Sequence, residues 1–195
     1  ILQIFKHKDL RTKIGWTVLL LVIFRIVTHI PLPGVDPSQL QQLFSQNQFL
    51  GLIDIFSGGS LSNFSIALMG VAPYINASII MQLMTMAIPQ IEALSKEGDY
   101  GRRKINQYTR YLTVPLALLQ SYGMINLLQR SEFPILGDIS VLRLLAILVI
   151  ATAGTIFVMW LGELISEYGI GNGISLLIFL GIVSGLPSIV TSTAA

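Results

Sequence analysis

The chain contains no cysteine, so it can build neither a disulfide framework nor a thiolate metal site. Charge is scarce too: Asp, Glu, Lys and Arg make up 11% of its 195 residues, against about 25% in a soluble globular domain. Histidine is limited to His7 and His29, which are far apart and offer no metal-ligand set. No apolar run encloses a pair of carboxylates, so a proton relay has no members here. What is abundant is hydrophobic surface, 53% of residues, gathered in runs of about twenty, the length a bilayer core demands of a helix. This pattern excludes a secreted disulfide domain, a disordered tail and a nucleic-acid binder, and nothing in it supports an enzyme or a cofactor.

The runs predict an all-α, polytopic membrane protein with five spans, at 14–30, 64–88, 109–128, 141–161 and 174–191. Net charge is only +2, so placement matters more than balance. Lys6, Lys8, Arg11 and Lys13 crowd the first thirteen residues, and no basic residue occurs from Ile26 to Ser95. Lys96, Arg102, Arg103, Lys104 and Arg110 then cluster between the second and third spans. Because cytoplasmic loops retain Lys and Arg, segment 1–13 and the basic loop 89–108 are both expected on the cytoplasmic side. No small-residue cleavage site follows the first apolar run; Pro31-Leu32-Pro33-Gly34 reads as a turn, so the run is not a secretory signal. The chain starts at Ile1 and stops at Ala195 in an apolar stretch, which suggests a fragment. Five spans place the two ends on opposite sides, as in one half of an inverted-repeat protein.

Several segments depart from the simple pattern. Residues 50–56 are apolar but too short to span, and Ser57-Gly58-Gly59-Ser60 stops them. The alternatives are a re-entrant piece held inside protein or an amphipathic helix at the interface. The second span carries Gly70, Pro73, Asn76, Ser78 and Gln82. Pro73 predicts a bend, since it cannot donate to the carbonyl of Met69. Asn76 and Gln82, like Gln120 and Asn126 in the third span, need polar partners, either a cavity or neighbouring helices. Arg25 lies within snorkelling reach of the Pro31 boundary. Glu163 and Glu167 sit just past the fourth span. Gly169-Ile170-Gly171-Asn172-Gly173 lacks the strand and the Lys of a phosphate loop and reads as a tight turn.

Longer strings carry a resemblance. Phe56-Ser57-Gly58-Gly59-Ser60-Leu61-Ser62, leading to the run from Gly70-Val71-Ala72-Pro73-Tyr74-Ile75-Asn76 to Gln82-Leu83, resembles the plug and second span of the SecY family, the channel subunit of the protein translocase. Lys96-Glu97-Gly98-Asp99-Tyr100-Gly101-Arg102-Arg103-Lys104 is similar to its first large cytoplasmic loop. Pro31-Leu32-Pro33-Gly34-Val35-Asp36 matches after the first span, and Trp160-Leu161-Gly162-Glu163 through Gly173-Ile174-Ser175 near the end. The matches run in family order along the whole chain.

The resemblance implies the first half of a ten-span clamshell that passes unfolded secretory polypeptides across the membrane and releases hydrophobic segments sideways into it. It assigns a pore constriction to Val71, Ile75, Ile174 and Ile178. It assigns a plug to 50–62, including Leu52, Ile53, Asp54, Ile55, Phe56, Ser57, Gly58 and Gly59, and a lateral gate to Asn76 and Gln120. Implied partners are SecE-type and SecG-type subunits, SecA or the ribosome at Arg102, Arg103 and Lys104, the translocating polypeptide with its signal sequence, and the bilayer. No sequence-specific nucleic-acid contact is implied, and the basic loop can equally serve topology alone. The outer loop 129–140 is shorter than in many bacterial relatives. The composition of segment 1–13 leans towards a cyanobacterial or plastid member, hence a plasma or thylakoid membrane. Without the resemblance, the same residues also fit half of an inverted-repeat small-solute transporter or a structural subunit with no pore.

Overall fold

A computed structural model of the chain describes residues 8–32, 60–61, 63–129 and 140–193, with side chains described as far as 184. The described residues form six helices: α1 (Lys8–Val27), α2 (Ala72–Ala87), α3 (Pro89–Lys96), α4 (Asp99–Gln129), α5 (Val141–Tyr168) and α6 (Gly173–Thr193). One isolated antiparallel bridge pairs Pro31 with Ser65. The class is all-α, with α4 and α5 each long and apolar enough to cross a bilayer alone.

The expected second span, 64–88, is helical only from Ala72. The stretch before it folds as buried turns, in which Ser65 N donates to Ser60 O (2.8 Å), Leu32 N to Phe64 O (2.8 Å) and Ile66 N to Ile30 O (3.0 Å). These bonds satisfy backbone groups that a helix would satisfy internally, and the segment is enclosed in protein, where irregular backbone at membrane depth is tolerated. Gly70 sits at φ +51°, a left-handed conformation that costs glycine little. Hydropathy alone cannot separate such a buried turn from a helix, because both are apolar.

Pro73 accordingly does not bend the helix. It lies at its first turn, where a missing N–H breaks nothing. The sharp change of direction falls at Ile88, extended at φ −114° and ψ 112° as a residue before proline prefers, and α3 leaves α2 at 102°. The basic stretch 89–108 is likewise not irregular: α3 and the start of α4 occupy it, joined at Gly98 (φ +72°). Arg102, Arg103 and Lys104 thus stand on the opening turns of a 31-residue helix, about 46 Å long at 1.5 Å per residue and so longer than a roughly 30 Å hydrocarbon core.

Two apolar clusters hold the helices together. Leu32, Leu61, Phe64 and Leu68 pack with Ile125 and Leu128 of α4 and with Ile147 and Ala151 of α5. Leu20 and Phe24 of α1, with Ala67 and Val71, pack against Val158, Leu161 and Ile165 of α5 and Leu177 of α6. Helix α5 takes part in both, and its buried face includes Gly154 and Gly162. A Cβ on Gly154 would fall on the carbonyl of Ile66, so the turn segment can seat on α5 only where that side chain is missing. Thr109, Thr113, Thr152 and Thr155 turn their hydroxyls back onto carbonyls four residues earlier (2.7–3.0 Å), which hides their polarity within the helix. Asn126 likewise turns one amide hydrogen back, Nδ2 donating to Tyr122 O (3.2 Å). Arg25, placed within snorkelling reach by the sequence, donates from Nη1 to Ser184 Oγ (3.1 Å) and links α1 to α6. Outward faces carry Leu119, Leu142, Val149 and Phe179.

Replacement of Gly154 by Ala will destabilise the folded protein by at least about 2 kcal/mol, since the obstructing atom is backbone. Gly123→Ala, in a helix with open space around it, will be neutral or stabilising by under about 1 kcal/mol. Thermal unfolding in detergent separates the two, and equal stabilities would contradict the packing described.

Candidate functional site

The α5–α6 turn sets the geometry of the site. Gly171 adopts φ +77°, and Ser166 bridges the two helices: its Oγ accepts from Gly173 N (2.8 Å) and donates to Gly162 O (3.0 Å). Asn172 Oδ1 accepts from Ser175 N (3.2 Å) at the start of α6, capping an orphan donor. Thr17 Oγ1 accepts from Ile170 N (3.1 Å), tying the turn to α1. A Cβ on Gly162 would strike Ile174, so the glycine makes the seat for that side chain. One helical turn further lies Ile178, and the same i, i+4 spacing on α2 aligns Val71 with Ile75.

The structure brings all four of these aliphatic residues together. Val71 is 7% exposed in the second cluster, and Ile75, Ile174 and Ile178 pack against that cluster while remaining partly open. Those three also face a cleft of about 620 Å³ between α2, α4, α5 and α6. Ile79 of α2 continues its apolar side, with Ser78 and Gln82 on the same helix, whereas Asn106 and Arg110 of α4 and Glu163 and Glu167 of α5 supply a polar wall.

Across that polar wall, Arg110 Nε donates to Glu163 Oε1 at 2.7 Å, joining α4 to α5. The side chains are 52% and 20% exposed, so water reaches the pair and screens it. Sequence reading placed Glu163 just beyond the fourth span and missed its partner. The available signal was a carboxylate ending an apolar helix and an arginine opening another; the register between the helices was not in the sequence.

The other candidates are dispersed. Asn76 is exposed on α2 and Gln120 half-buried on α4, and neither lines the cleft. Arg102 and Arg103 are exposed on α4. Lys104 lies 5.1 Å above the ring of Tyr100, and a hydrogen bond to Tyr100 is the main cause holding its ammonium above the usual lysine value. Leu52, Ile53, Asp54, Ile55, Phe56, Ser57, Gly58 and Gly59 lie outside the described residues; Ser60 and Leu61, at the end of the same segment, are buried.

A model of the SecY family matches residues 65–195. The chain belongs to the SecY family. Its relatives include the protein translocase subunits SecY of Streptomyces scabiei, 49% identical over 196 residues, and of Corynebacterium glutamicum, 48% identical over 199. These alignments cover 94% and 96% of this chain and 45% of each relative; the chain therefore spans less than half their length. Two solved structures share the fold. One is Sec61 in the canine ribosome–channel complex from the endoplasmic reticulum (TM-score 0.57, 20% identity, 88% of this chain and 36% of the other). The second is a protein-conducting channel (TM-score 0.58, 19% identity, the same coverages). Membership of the SecY family makes this a multi-pass membrane protein, consistent with its apolar helices.

In this SecY chain, a double-mutant cycle on Arg110 and Glu163 will return a coupling of about 0.2–1 kcal/mol, the range of solvent-accessible pairs. Ser166→Ala removes a hydroxyl that serves two backbone groups and will cost about 1–3 kcal/mol. Both are readable as shifts in denaturant midpoint.

Proposed function

We propose that the chain forms the N-terminal half of a protein-conducting channel, which lets unfolded secretory polypeptides through and releases hydrophobic segments laterally into the bilayer. The observation that carries this reading is the convergence on one apolar cluster of Val71 and Ile75, just before and within the first turn of α2, with Ile174 and Ile178 of α6, the last three also lining a cleft with one polar wall. Branched aliphatic side chains offer water and ions no hydrogen bonds, so a narrow collar of them dewets and resists leakage, yet yields around a chain of any sequence. A second half supplies the rest of the collar.

In this reading residues 50–62 act as a plug on the outer side, and Asn76 and Gln120 belong to a seam that opens sideways. Polar contacts favour the closed seam, and an apolar segment seeking lipid competes with them. The N-terminus faces the cytoplasm or stroma, in a plasma or thylakoid membrane, with the basic turns Arg102, Arg103 and Lys104 on the same side. SecE-type and SecG-type subunits complete the channel, and SecA or the ribosome supplies the driving force at that basic surface. The proposed role of this half is shape, with no catalytic step. Membership of the SecY family, whose curated relatives are translocase subunits, supports this reading over a small-solute transporter.

Two experiments on the full-length protein with its partner subunits test the reading. Deletion of 50–62 will raise ion conductance in a planar bilayer; unchanged conductance would remove the plug. A polypeptide stalled in transit will crosslink to probes at Val71, Ile75, Ile174 and Ile178, and failure at all four would refute the constriction.

A further inference from the structure

The cleft beside the aliphatic collar has two chemically distinct walls within one cavity. Ile75, Ile79, Ile174 and Ile178 form the apolar one, and Glu163 and Glu167, one turn apart on α5, carry the negative charge of the other. Among the described residues, the ionisable groups facing it are these two carboxylates, Arg110 and Tyr74. Such a cavity complements a ligand that joins an apolar run to a cationic head. A secretory leader is built that way, with a positively charged n-region ahead of an apolar h-region.

The cation at that place is the protein's own. Arg110 reaches Glu163 through Nε and one carboxylate oxygen, at 2.7 Å, with water able to reach both side chains. A pair of this kind exchanges partners at little cost. We infer that Arg110 is a stand-in for the n-region of the arriving leader: a Lys or Arg of the leader displaces it from Glu163, with Glu167 as a second acceptor, while the h-region lies along the isoleucine wall. Displacement exchanges the ion pair between α4 and α5 for one with the leader, while the apolar packing of Ile125 and Leu128 keeps α4 in place. This inference rests on the channel reading and adds to it a site for the leader's positive charge.

The test uses the full-length protein with its partner subunits in vesicles of one fixed lipid composition and no membrane potential. Two precursors differ only in n-region charge, +2 or 0, and the readout is the ratio of their translocation rates. Arg110→Gln leaves the carboxylate vacant and will raise the ratio about two- to fivefold; Glu163→Gln removes the acceptor and will lower it by a similar factor, the size expected of an accessible ion pair. Arg110→Lys will restore the wild-type ratio. A pair that merely braces α4 against α5 responds alike to loss of either partner, so a shift of both variants in the same direction overturns the inference. So does an unchanged ratio in both while translocation continues. Failure of the wild-type complex to move either precursor overturns the channel reading, and this inference with it.

Discussion

Close approach of α5 to the backbone around it is the constraint on which the rest of this structure depends. Lipid tails are as apolar as leucine, so helices in a bilayer gain little from hydrophobic burial against each other and rely on packing and internal hydrogen bonds. Here Gly154 lets the carbonyl of Ile66 approach, and Gly162 receives Ile174 and the start of α6. The irregular segment before α2 and the turn before α6 are therefore fixed against the same helix. With them are fixed the two places that present Val71, Ile75, Ile174 and Ile178. The proposed collar owes its position to what is missing from α5.

Polarity is arranged by the same logic. Threonines on the packed faces of α4 and α5 return their hydroxyls to their own helices, leaving the interior dry where helices touch. The charged side chains of α4 and α5 that line the cleft share it with the isoleucines of α2 and α6, so polar and apolar groups meet there. That contrast sits next to the proposed constriction.

Much of this was legible in the sequence, and the failures have physical causes. Runs of apolar residues located the helices α1, α4, α5 and α6, of which α4 and α5 are each long and apolar enough to cross a bilayer alone. The segment 64–71 misled because buried turns and buried helices have the same hydropathy, and Pro73 misled because a proline that starts a helix is indistinguishable by composition from one that kinks it. The basic stretch 89–108 read as a loop from its charge, although charge reports on side of the membrane and not on backbone conformation. The four collar residues came from resemblance alone: aliphatic pairs at i, i+4 occur along any such helix. Arg110 and Glu163 were visible singly, but their meeting depends on the register of α4 against α5, which no local pattern encodes.

Leu32 is bonded to Phe64, and Ser60 to Ser65, so the backbone leaving α1 and the backbone returning to the turn are stapled at a common anchor point. The span of chain from 33 to 59 hence begins and ends at one fixed base. The join between α1 and the turns before α2 is thus made by main-chain groups, so its bonds do not depend on which side chains those residues carry, proline apart.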